Sequence, residues 1–288
     1  MKPEDMGTDA ANTWCPGCGN FAILNAIKPV LATLDEEGLL PLEKVVMVTG
    51  IGCHAKIADY VNVNSFYTIH GRTIPVATGI KLANPDLTVI CFAGDGDAYA
   101  EGLDHLIFAA KRNVDITTII HDNRVYGLTT GQYTPTSPSW FRGRSTPEGL
   151  EVPPINPLEI VFASGGTFIA RGYSHGIEFL KEVFREAILH RGFSFVDVLQ
   201  VCATYFNMYK YYNERVYTLE DHDPEDRDQA EEKIREWDYN SEYDSDVSIP
   251  LGIFYREEAA TFGDNFGNSS SKISDLDGAI RKTLESYI

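Results

Sequence analysis

Basic residues are scarce in this 288-residue chain, and long apolar runs are absent. Lys and Arg together number 24 against 42 Asp and Glu, which gives a formal net charge of −18. A charge of this sign repels phosphate backbones and anionic lipid surfaces, so we expect neither nucleic acid nor a membrane surface as a partner. No run approaches the roughly 18 apolar residues of a membrane span, so we expect none.

Cysteine is also sparse, with five residues, and the N-terminal segment has no apolar stretch that would serve as a secretory leader. An odd cysteine count that includes the Cys15-x-x-Cys18 pair argues against a disulfide framework and for a reducing compartment. We therefore expect a cytoplasmic protein. The length suits one large α/β domain or two small ones.

The negative charge is concentrated between Glu220 and Asp246, where 13 acidic residues accompany three basic ones. Runs of like charge usually lie on a solvated surface, and we interpret the segment first as an exposed helix and loop. A docking arm for a partner or a general tolerance of salt are the alternatives.

Apolar periodicity alternates between strand and helix types along the chain, which predicts a doubly wound, mostly parallel α/β sheet. After Cys202 the composition shifts to Tyr, Asn and acidic residues. We therefore predict a main domain at 1–202 and, at 203–288, a C-terminal extension or arm with too few apolar residues for a core of its own. The predicted strands are 44–49, 87–93, 116–121, 167–171 and 193–201; the predicted helices are 21–34, 74–83, 99–112 and 175–190, and a long loop is predicted at 127–154.

A Gly94-Asp95-Gly96-Asp97 turn follows one buried strand, and Asn123 follows the next. Ligands bind at the carboxyl edge of open α/β sheets, where both segments are expected to lie. The glycines let the backbone approach a diphosphate, while Asp95, Asn123 and the carbonyl of Val125 offer the oxygen ligands that Mg²⁺ prefers. The two segments together therefore predict a metal–diphosphate site.

Four of the cysteines occupy loops or strand ends, namely Cys15, Cys18, Cys53 and Cys202. They are expected to face the same sheet edge as Asp95, which makes an iron–sulfur cluster plausible. A redox dithiol and a zinc site are the alternatives for the Cys-x-x-Cys pair. Cys91 lies within a predicted strand and is interpreted as a small buried hydrophobic residue.

Seven short segments occur in the order and with the sequences typical of one family. They are WCPGCG (14–19), GIGC (50–53), HGR (70–72), GDGD (94–97), DNRVYGLT (122–129), GQYTPT (131–136) and IPLGIFY (249–255). On these segments the chain resembles the β subunit of a 2-oxoacid:ferredoxin oxidoreductase.

The resemblance implies the diphosphate-binding half of a thiamine-diphosphate-binding fold, completed by an α subunit that carries the pyrimidine-binding half. It implies thiamine diphosphate, Mg²⁺ and one [4Fe-4S] cluster as cofactors, with a 2-oxoacid, coenzyme A and ferredoxin as reaction partners. The implied assembly is αβ or (αβ)₂, and the β chain by itself is expected to be inactive.

The resemblance also assigns individual residues. Cys15, Cys18, Cys53 and Cys202 would ligate the cluster; Asp95, Asn123 and Val125 would hold Mg²⁺; and Lys56 would face the substrate. The residues implied to line the cofactor are Ile51, Gly52, Cys53, His54, His70, Gly94, Asp95, Gly96, Asp97, Asn123, Val125, Gly127, Leu128 and Thr129.

Substrate identity is less constrained than reaction class. Many relatives have two small hydroxyl residues at the positions of His54 and Ala55. Some relatives have Lys or Gly at the position of Thr130. The GQYTPT segment resembles oxoglutarate-type members, and Lys56 offers a cation to a second carboxylate, so we expect 2-oxoglutarate as the substrate. Pyruvate or a branched-chain 2-oxoacid is the alternative within the family; outside it, a non-redox thiamine enzyme, a zinc-stabilised interaction protein and a purely structural role remain.

Overall fold

The computed structural model describes residues 3–241, 246–266 and 276–286. Its strands are β1 Val45–Thr49, β2 Asn64–Tyr67, β3 Thr88–Gly94, β4 Ile116–Asp122, β5 Val125–Tyr126, β6 Gln132–Tyr133, β7 Phe168–Tyr173, β8 Phe193–Leu199, β9 Val216–Thr218 and β10 Ile249–Arg256. Its α-helices are α1 Asn20–Glu36, α2 Ile57–Tyr60, α3 Thr73–Ala83, α4 Leu103–Lys111, α5 Pro157–Ala163, α6 Ile177–Leu189, α7 Tyr209–Asn213, α8 Arg227–Arg235 and α9 Leu276–Glu285.

Eight strands form one sheet in the order β2-β1-β3-β4-β8-β7-β10-β9. Every neighbouring pair is parallel except β10 and β7, which run antiparallel. The central strands β4 and β8 are buried along their whole length, as strands covered on both faces must be. This arrangement confirms the predicted doubly wound, mostly parallel sheet.

Helices cover both faces of the sheet. On one face, α1 and α6 pack against each other and against the strands, with Leu31 and Phe184 fully buried between them and the sheet. On the other face, α3, α4, α5 and α8 bury residues such as Leu106 and Ile234. The parallel strands therefore end together at a single edge, on which both sets of connections converge.

The structure departs from the predicted helix at 99–112. A π-helical turn occupies Asp97–Glu101, and α4 begins only at Leu103. A Cβ placed on Gly71 would lie 2.3 Å from the carbonyl oxygen of Glu101, so the backbone of the turn runs directly against the His70-Gly71 loop. The wider turn thus lies in close backbone contact with a loop beside the site.

The C-terminal extension packs on this same chain through β9, β10 and α8. Trp237, Tyr239 and Ile249 are buried in a third apolar cluster with Tyr173 and Leu199 of the main sheet. The extension therefore shares the core of residues 1–202 instead of forming one of its own. Whether it also packs on another subunit stays a prediction.

The acidic segment is a surface feature as far as the structure describes it. Every acidic side chain from Glu220 to Asp238 is exposed or partly exposed, whereas Glu242 and Asp244 lie outside the described residues. Across the described ranges, no helix combines the length and the apolar character that crossing a membrane requires.

Candidate functional site

A cleft opens at the carboxyl edge of the sheet, where β1, β3 and β4 end. It holds about 480 Å³ of empty space, counting the solvent at its mouth. Its lining contains all fourteen residues that the sequence assigned to cofactor binding, together with Tyr126. The lining residues are Ile51, Gly52, Cys53, His54, His70, Gly94, Asp95, Gly96, Asp97, Asn123, Val125, Tyr126, Gly127, Leu128 and Thr129.

Asp95 brings a buried carboxyl group to this cleft. Its side chain accepts a hydrogen bond from Thr136 Oγ1 at 3.2 Å, and burial raises its pKa to about 6. A buried carboxylate without a cationic partner is costly, and a bound dication would supply that partner. Asn123 and Val125 line the same cleft, so the donor set fits Mg²⁺, which takes oxygen ligands.

The glycines of the turn are required by close contacts. A Cβ placed on Gly96 would lie 2.2 Å from the ring of Tyr126, and one on Gly94 would lie 2.7 Å from Nδ1 of His54. Neither position therefore admits a larger residue. The backbone of the turn stays open to the cleft, as close approach to a diphosphate requires.

Asp97 holds the part of the cleft wall that is formed by the His70-Gly71 loop. Its Oδ1 lies 2.9 Å from His70 Nδ1 and accepts the backbone N–H of Gly71 at 2.8 Å, while Oδ2 accepts the hydroxyl of Thr73 at 3.2 Å. The carboxylate is 2% exposed and is occupied by these donors. Although Asp97 lies in the cleft lining, its contacts position His70.

His54 is a buried imidazole in the cleft lining. Its Nε2 has no hydrogen-bond partner and lies 3.8 Å from Oδ2 of Asp97. Burial lowers the pKa of His54 to about 4, and the Asp97 carboxylate only partly offsets this. The ring is therefore neutral at pH 7, and its Nε2 is buried without a hydrogen-bond partner.

The four loop and strand-end cysteines converge beside the cleft. A methyl group placed on Gly127 would lie 3.5 Å from Cys202 Sγ and 3.8 Å from Cys53 Sγ, so the two sulfur atoms are separated by no more than the sum of these distances. Burial raises the pKa of Cys18 to about 12, and repulsion from Cys202, Cys53 and Cys15 contributes to the rise. An iron cluster would bind these groups as thiolates and would offset the cost of their burial and mutual repulsion, so the set fits one.

Two of the three segments that carry these cysteines are tied down by side-chain hydrogen bonds. The indole Nε1 of Trp14 donates to the carbonyl oxygen of Cys53 at 2.6 Å, and the hydroxyl of Tyr209 donates to that of Gly17 at 3.0 Å.

All five cysteines are free thiols, and Cys91 is fully buried. In the described part of the chain, no three His, Cys, Asp or Glu side chains converge closely enough to hold a single metal ion.

Lys56 lies outside the residues that line the cleft. Its ammonium group donates to Thr13 Oγ1 at 2.5 Å, and its charge also acts on the thiol of Cys53. Its predicted orientation toward a substrate stays a prediction.

The loop that carries Asn123 and Val125 is held from beneath by Arg124. This residue is 1% exposed and has a left-handed φ of 61°. Its guanidinium donates to the carbonyl oxygens of Thr136, at 2.6 Å, and Tyr239, and it lies over the ring of Trp237. A non-glycine residue keeps such a φ only where its surroundings fix it, and Thr136 and the C-terminal extension together provide that fixation here.

Sequence reasoning missed two further residues of the site. Tyr126 donates its hydroxyl to the carbonyl oxygen of Gly96 at 3.3 Å and to Glu101 at 3.1 Å, although the sequence shows it only as part of a motif. Gln200, at the end of β8, bonds to Asn123 and to Cys18. Only its position next to a strand end could have indicated it.

Family comparisons agree with this geometry. The family described as thiamine pyrophosphate enzyme, C-terminal TPP binding domain, matches residues 50–198, and the family of C-terminal segments of the pyruvate ferredoxin oxidoreductase beta subunit matches residues 202–271. Subunit β of 2-oxoacid:ferredoxin oxidoreductase 1 from Aeropyrum pernix is 42% identical over 86% of this chain and 79% of its own. The chain belongs to the β subunits of the 2-oxoacid:ferredoxin oxidoreductases.

Other members of the family are similar to it as well. The β subunit of a 2-oxoacid:ferredoxin oxidoreductase from a Sulfolobus species is 44% identical over 86% of this chain and 82% of its own. The 2-oxoglutarate oxidoreductase subunit KorB of Mycobacterium tuberculosis is 41% identical over 70% of this chain and 53% of its own. Membership in this oxidoreductase family confirms the resemblance seen in the sequence.

A solved structure extends the match to nearly the whole chain. It is 2-oxoglutarate:ferredoxin oxidoreductase from Magnetococcus marinus with 2-oxoglutarate, coenzyme A and succinyl-CoA bound. The TM-score is 0.87 at 32% identity, over 98% of this chain and 96% of that one. Together with the family match to residues 50–198, this confirms the thiamine-diphosphate-binding fold.

Proposed function

We propose that this chain is the β subunit of a coenzyme A-dependent enzyme that oxidatively decarboxylates a 2-oxoacid and passes electrons singly to ferredoxin. One observation carries the proposal: the cleft predicted to hold a metal–diphosphate lies against Cys53 and Cys202, with Gly127 between them. A diphosphate cofactor and a redox centre would then sit side by side. A non-redox thiamine enzyme needs no such cysteines.

Asp95, Asn123 and the Val125 carbonyl would hold Mg²⁺ and, through it, the diphosphate of thiamine diphosphate. Cys15, Cys18, Cys53 and Cys202 would hold a [4Fe-4S] cluster. When bound, thiamine diphosphate would supply the carbanion chemistry that decarboxylation of a 2-oxoacid requires, and the cluster would supply a one-electron exit. The chain's own contribution is to orient these groups through Asp97, Arg124 and the glycine turn.

The chain would act with an α subunit that carries the pyrimidine-binding half, as αβ or (αβ)₂ in the cytoplasm. The free thiols suit a reducing compartment. The cleft is open at the sheet edge, and residues on its rim such as Leu128, which is 54% exposed, are available to a partner. We expect the β chain alone to show no 2-oxoacid-dependent reduction of a viologen dye.

The proposed substrate is 2-oxoglutarate, because the KorB relatives and the matching structure carry that name. Pyruvate is the second candidate, because the family that matches residues 202–271 is named for a pyruvate ferredoxin oxidoreductase. Lys56 is the cation we propose for the second carboxylate of 2-oxoglutarate. A charge-assisted hydrogen bond of this kind contributes about 1.5–3 kcal/mol, or roughly ten- to a hundredfold in specificity.

The test is an anaerobic preparation of the complex with its α subunit, assayed for iron, thiamine diphosphate and coenzyme A-dependent viologen reduction with 2-oxoglutarate, pyruvate and branched-chain 2-oxoacids. Iron together with oxoacid-dependent reduction of the dye supports the proposal. A colourless complex that decarboxylates a 2-oxoacid without an electron acceptor would refute the redox function. A higher kcat/KM for pyruvate than for 2-oxoglutarate would contradict the proposed substrate. A preference for 2-oxoglutarate that survives Lys56→Met would move recognition to the other subunit.

A further inference from the structure

One buried amide connects the two halves of the proposed site. Gln200 follows β8 directly and is 1% exposed. Its Oε1 accepts a hydrogen bond from Asn123 Nδ2 at 3.1 Å, and its Nε2 lies 3.7 Å from Cys18 Sγ, within the reach of an N–H···S hydrogen bond. A single side chain thus contacts one proposed Mg²⁺ ligand and one proposed cluster ligand.

The orientation of this amide is determined by its third contact. Nε2 of Gln200 also donates to the carbonyl oxygen of Val201 at 2.6 Å. Turning the amide over would place Oε1 against that carbonyl and would place Nε2 against the amide donor of Asn123. Both changes would bring like groups together, so the N–H must face the carbonyl and the sulfur.

Asn123 is fixed in the same way. Its Oδ1 accepts the backbone N–H of Val125 at 3.0 Å, which leaves Nδ2 to donate to Gln200. The two amides therefore form a directed chain from Asn123 through Gln200 to Cys18. Hydrogen bonds arranged head to tail in a buried environment strengthen one another.

We propose that Gln200 is a positioning residue that sets the reduction potential of the cluster and links that potential to occupancy of the metal–diphosphate site. The inference rests on the proposed function, since it takes Cys18 as a cluster ligand and Asn123 as a Mg²⁺ ligand. Hydrogen bonds to cluster sulfurs raise the reduction potential because they stabilise the more negative, reduced state.

The linkage follows from polarisation of the hydrogen bonds that connect Asn123, Gln200 and Cys18. A dication at Oδ1 of Asn123 withdraws electron density from its amide, which makes Nδ2–H a stronger donor to Gln200. Gln200 then becomes a stronger donor to Cys18 Sγ. Filling the cofactor site would therefore raise the cluster potential, and electrons would be accepted most readily when the cofactor is in place.

Two variants separate the contacts. Gln200→Leu removes both hydrogen bonds, whereas Gln200→Glu keeps an acceptor for Asn123 and removes the N–H that faces Cys18. We expect both to lower the cluster potential, by an amount equivalent to about a tenfold change in the reduction equilibrium, or ~59 mV for one electron. Gln229→Leu is the matched control, because the amide of Gln229 contacts Asp223 and Asp226 on the extension.

The measurement is an EPR-monitored redox titration of the αβ complex, before and after addition of Mg²⁺ and thiamine diphosphate. We expect the cofactor-induced rise to be largest in the wild type and the Gln229→Leu control and smaller in both Gln200 variants, which keep only the through-space effect of the cation. Should the Leu variant fail to assemble, the cofactor-induced change in the Glu variant decides the question, because the added carboxylate is present both before and after Mg²⁺ and thiamine diphosphate are added.

Unchanged potentials in a Gln200 variant that holds a full cluster would overturn the inference and leave the proposed function intact. A wild-type complex without a cluster would instead refute the proposed function. A lowered potential with an undiminished cofactor-induced rise would overturn the linkage alone.

Discussion

The imidazole Nδ1 of His70 lies 2.9 Å from Oδ1 of Asp97, and that oxygen also accepts the backbone N–H of Gly71. One carboxylate therefore fixes both the side chain and the backbone of a loop 26 residues earlier in the chain. Because Asp97 also begins the π-helical turn, the His70-Gly71 loop and the start of that turn are joined through one side chain. The strength with which the cleft binds its cofactor should accordingly depend on Asp97.

We expect Asp97→Ala to weaken binding of Mg²⁺–thiamine diphosphate by at least about tenfold, because buried donors left unpaired cost about 1–3 kcal/mol each. Isothermal titration calorimetry of the αβ complex measures this. Asp104→Ala, which alters a side chain 71% exposed near the start of α4, is the control. Binding as tight as that of the wild type would show that the loop holds its position without Asp97.

We expect Cys202→Ala to lose the cluster, and Cys91→Ala to retain it. Cys202 Sγ lies beside Cys53 at Gly127, whereas Cys91 is a fully buried residue in the middle of β3. Iron analysis and the EPR spectrum of the dithionite-reduced complex distinguish the two variants. An unchanged spectrum at full iron content in Cys202→Ala would contradict the assignment of the fourth ligand.

We expect Asp95→Ala to abolish retention of thiamine diphosphate through purification while the cluster survives. The substitution removes the anionic oxygen from the proposed metal site, but it touches none of the four cysteines. Thiamine diphosphate and iron are quantified in the same preparation. Undiminished thiamine diphosphate would exclude Asp95 as the metal ligand, and simultaneous loss of iron would indicate general unfolding of this sheet edge.

His54 should make the complex less stable in acid. Its pKa is about 4 in the folded protein against an ordinary 6.5, so between these values the unfolded chain binds more protons than the folded one. The stability due to a neutral His54 is therefore complete above pH 6.5 and is lost as pH falls toward 4. At about 1.36 kcal/mol per pKa unit, the loss amounts to about 3 kcal/mol.

The thermal unfolding temperature of the wild-type complex should consequently fall more steeply between pH 7 and pH 5 than that of His54→Gln. Burial raises the pKa of Asp95, which gives stability the opposite pH dependence in an overlapping range. Asp95 is present in both proteins, so the comparison isolates His54. Parallel curves would mean that folding does not lower the pKa of His54.

Much of the cleft could be predicted because its ligands follow strand ends. Gly94 closes β3, and Asn123 follows β4, so an alternation of apolar segments was enough to place them at one edge. The cysteines came together for the same reason, since Cys53 and Cys202 follow β1 and β8. The pattern of apolar segments was sufficient to predict which residues lie together wherever the order of the strands alone brings them to one sheet edge.

The remaining features depend on contacts between distant parts of the chain. Arg124 and Tyr239 are 115 residues apart, and no periodicity connects them. The role of Asp97 was assigned from its motif, whereas its contacts show it bonded to His70, Gly71 and Thr73. The sequence does not indicate how the extension packs, because its aromatic residues are buried against Tyr173 and Leu199, outside the segment.

The antiparallel pairing of β10 with β7 has a consequence for synthesis of the chain. β8 ends at Leu199 and β10 at Arg256, so the outer edge of β7 stays without its partner while some 57 further residues are made. At about 5–20 residues per second, a ribosome needs roughly 3–11 s for this stretch. During that interval a nascent chain would expose an open strand edge, which is a template for aggregation. The guanidinium groups of Arg124 and Arg171 would also lack their contacts with the rings of Trp237 and Tyr239. The loop between Asn123 and Val125 would likewise receive the last of its supporting hydrogen bonds, from Arg124 to the carbonyl oxygen of Tyr239, only when Tyr239 has emerged.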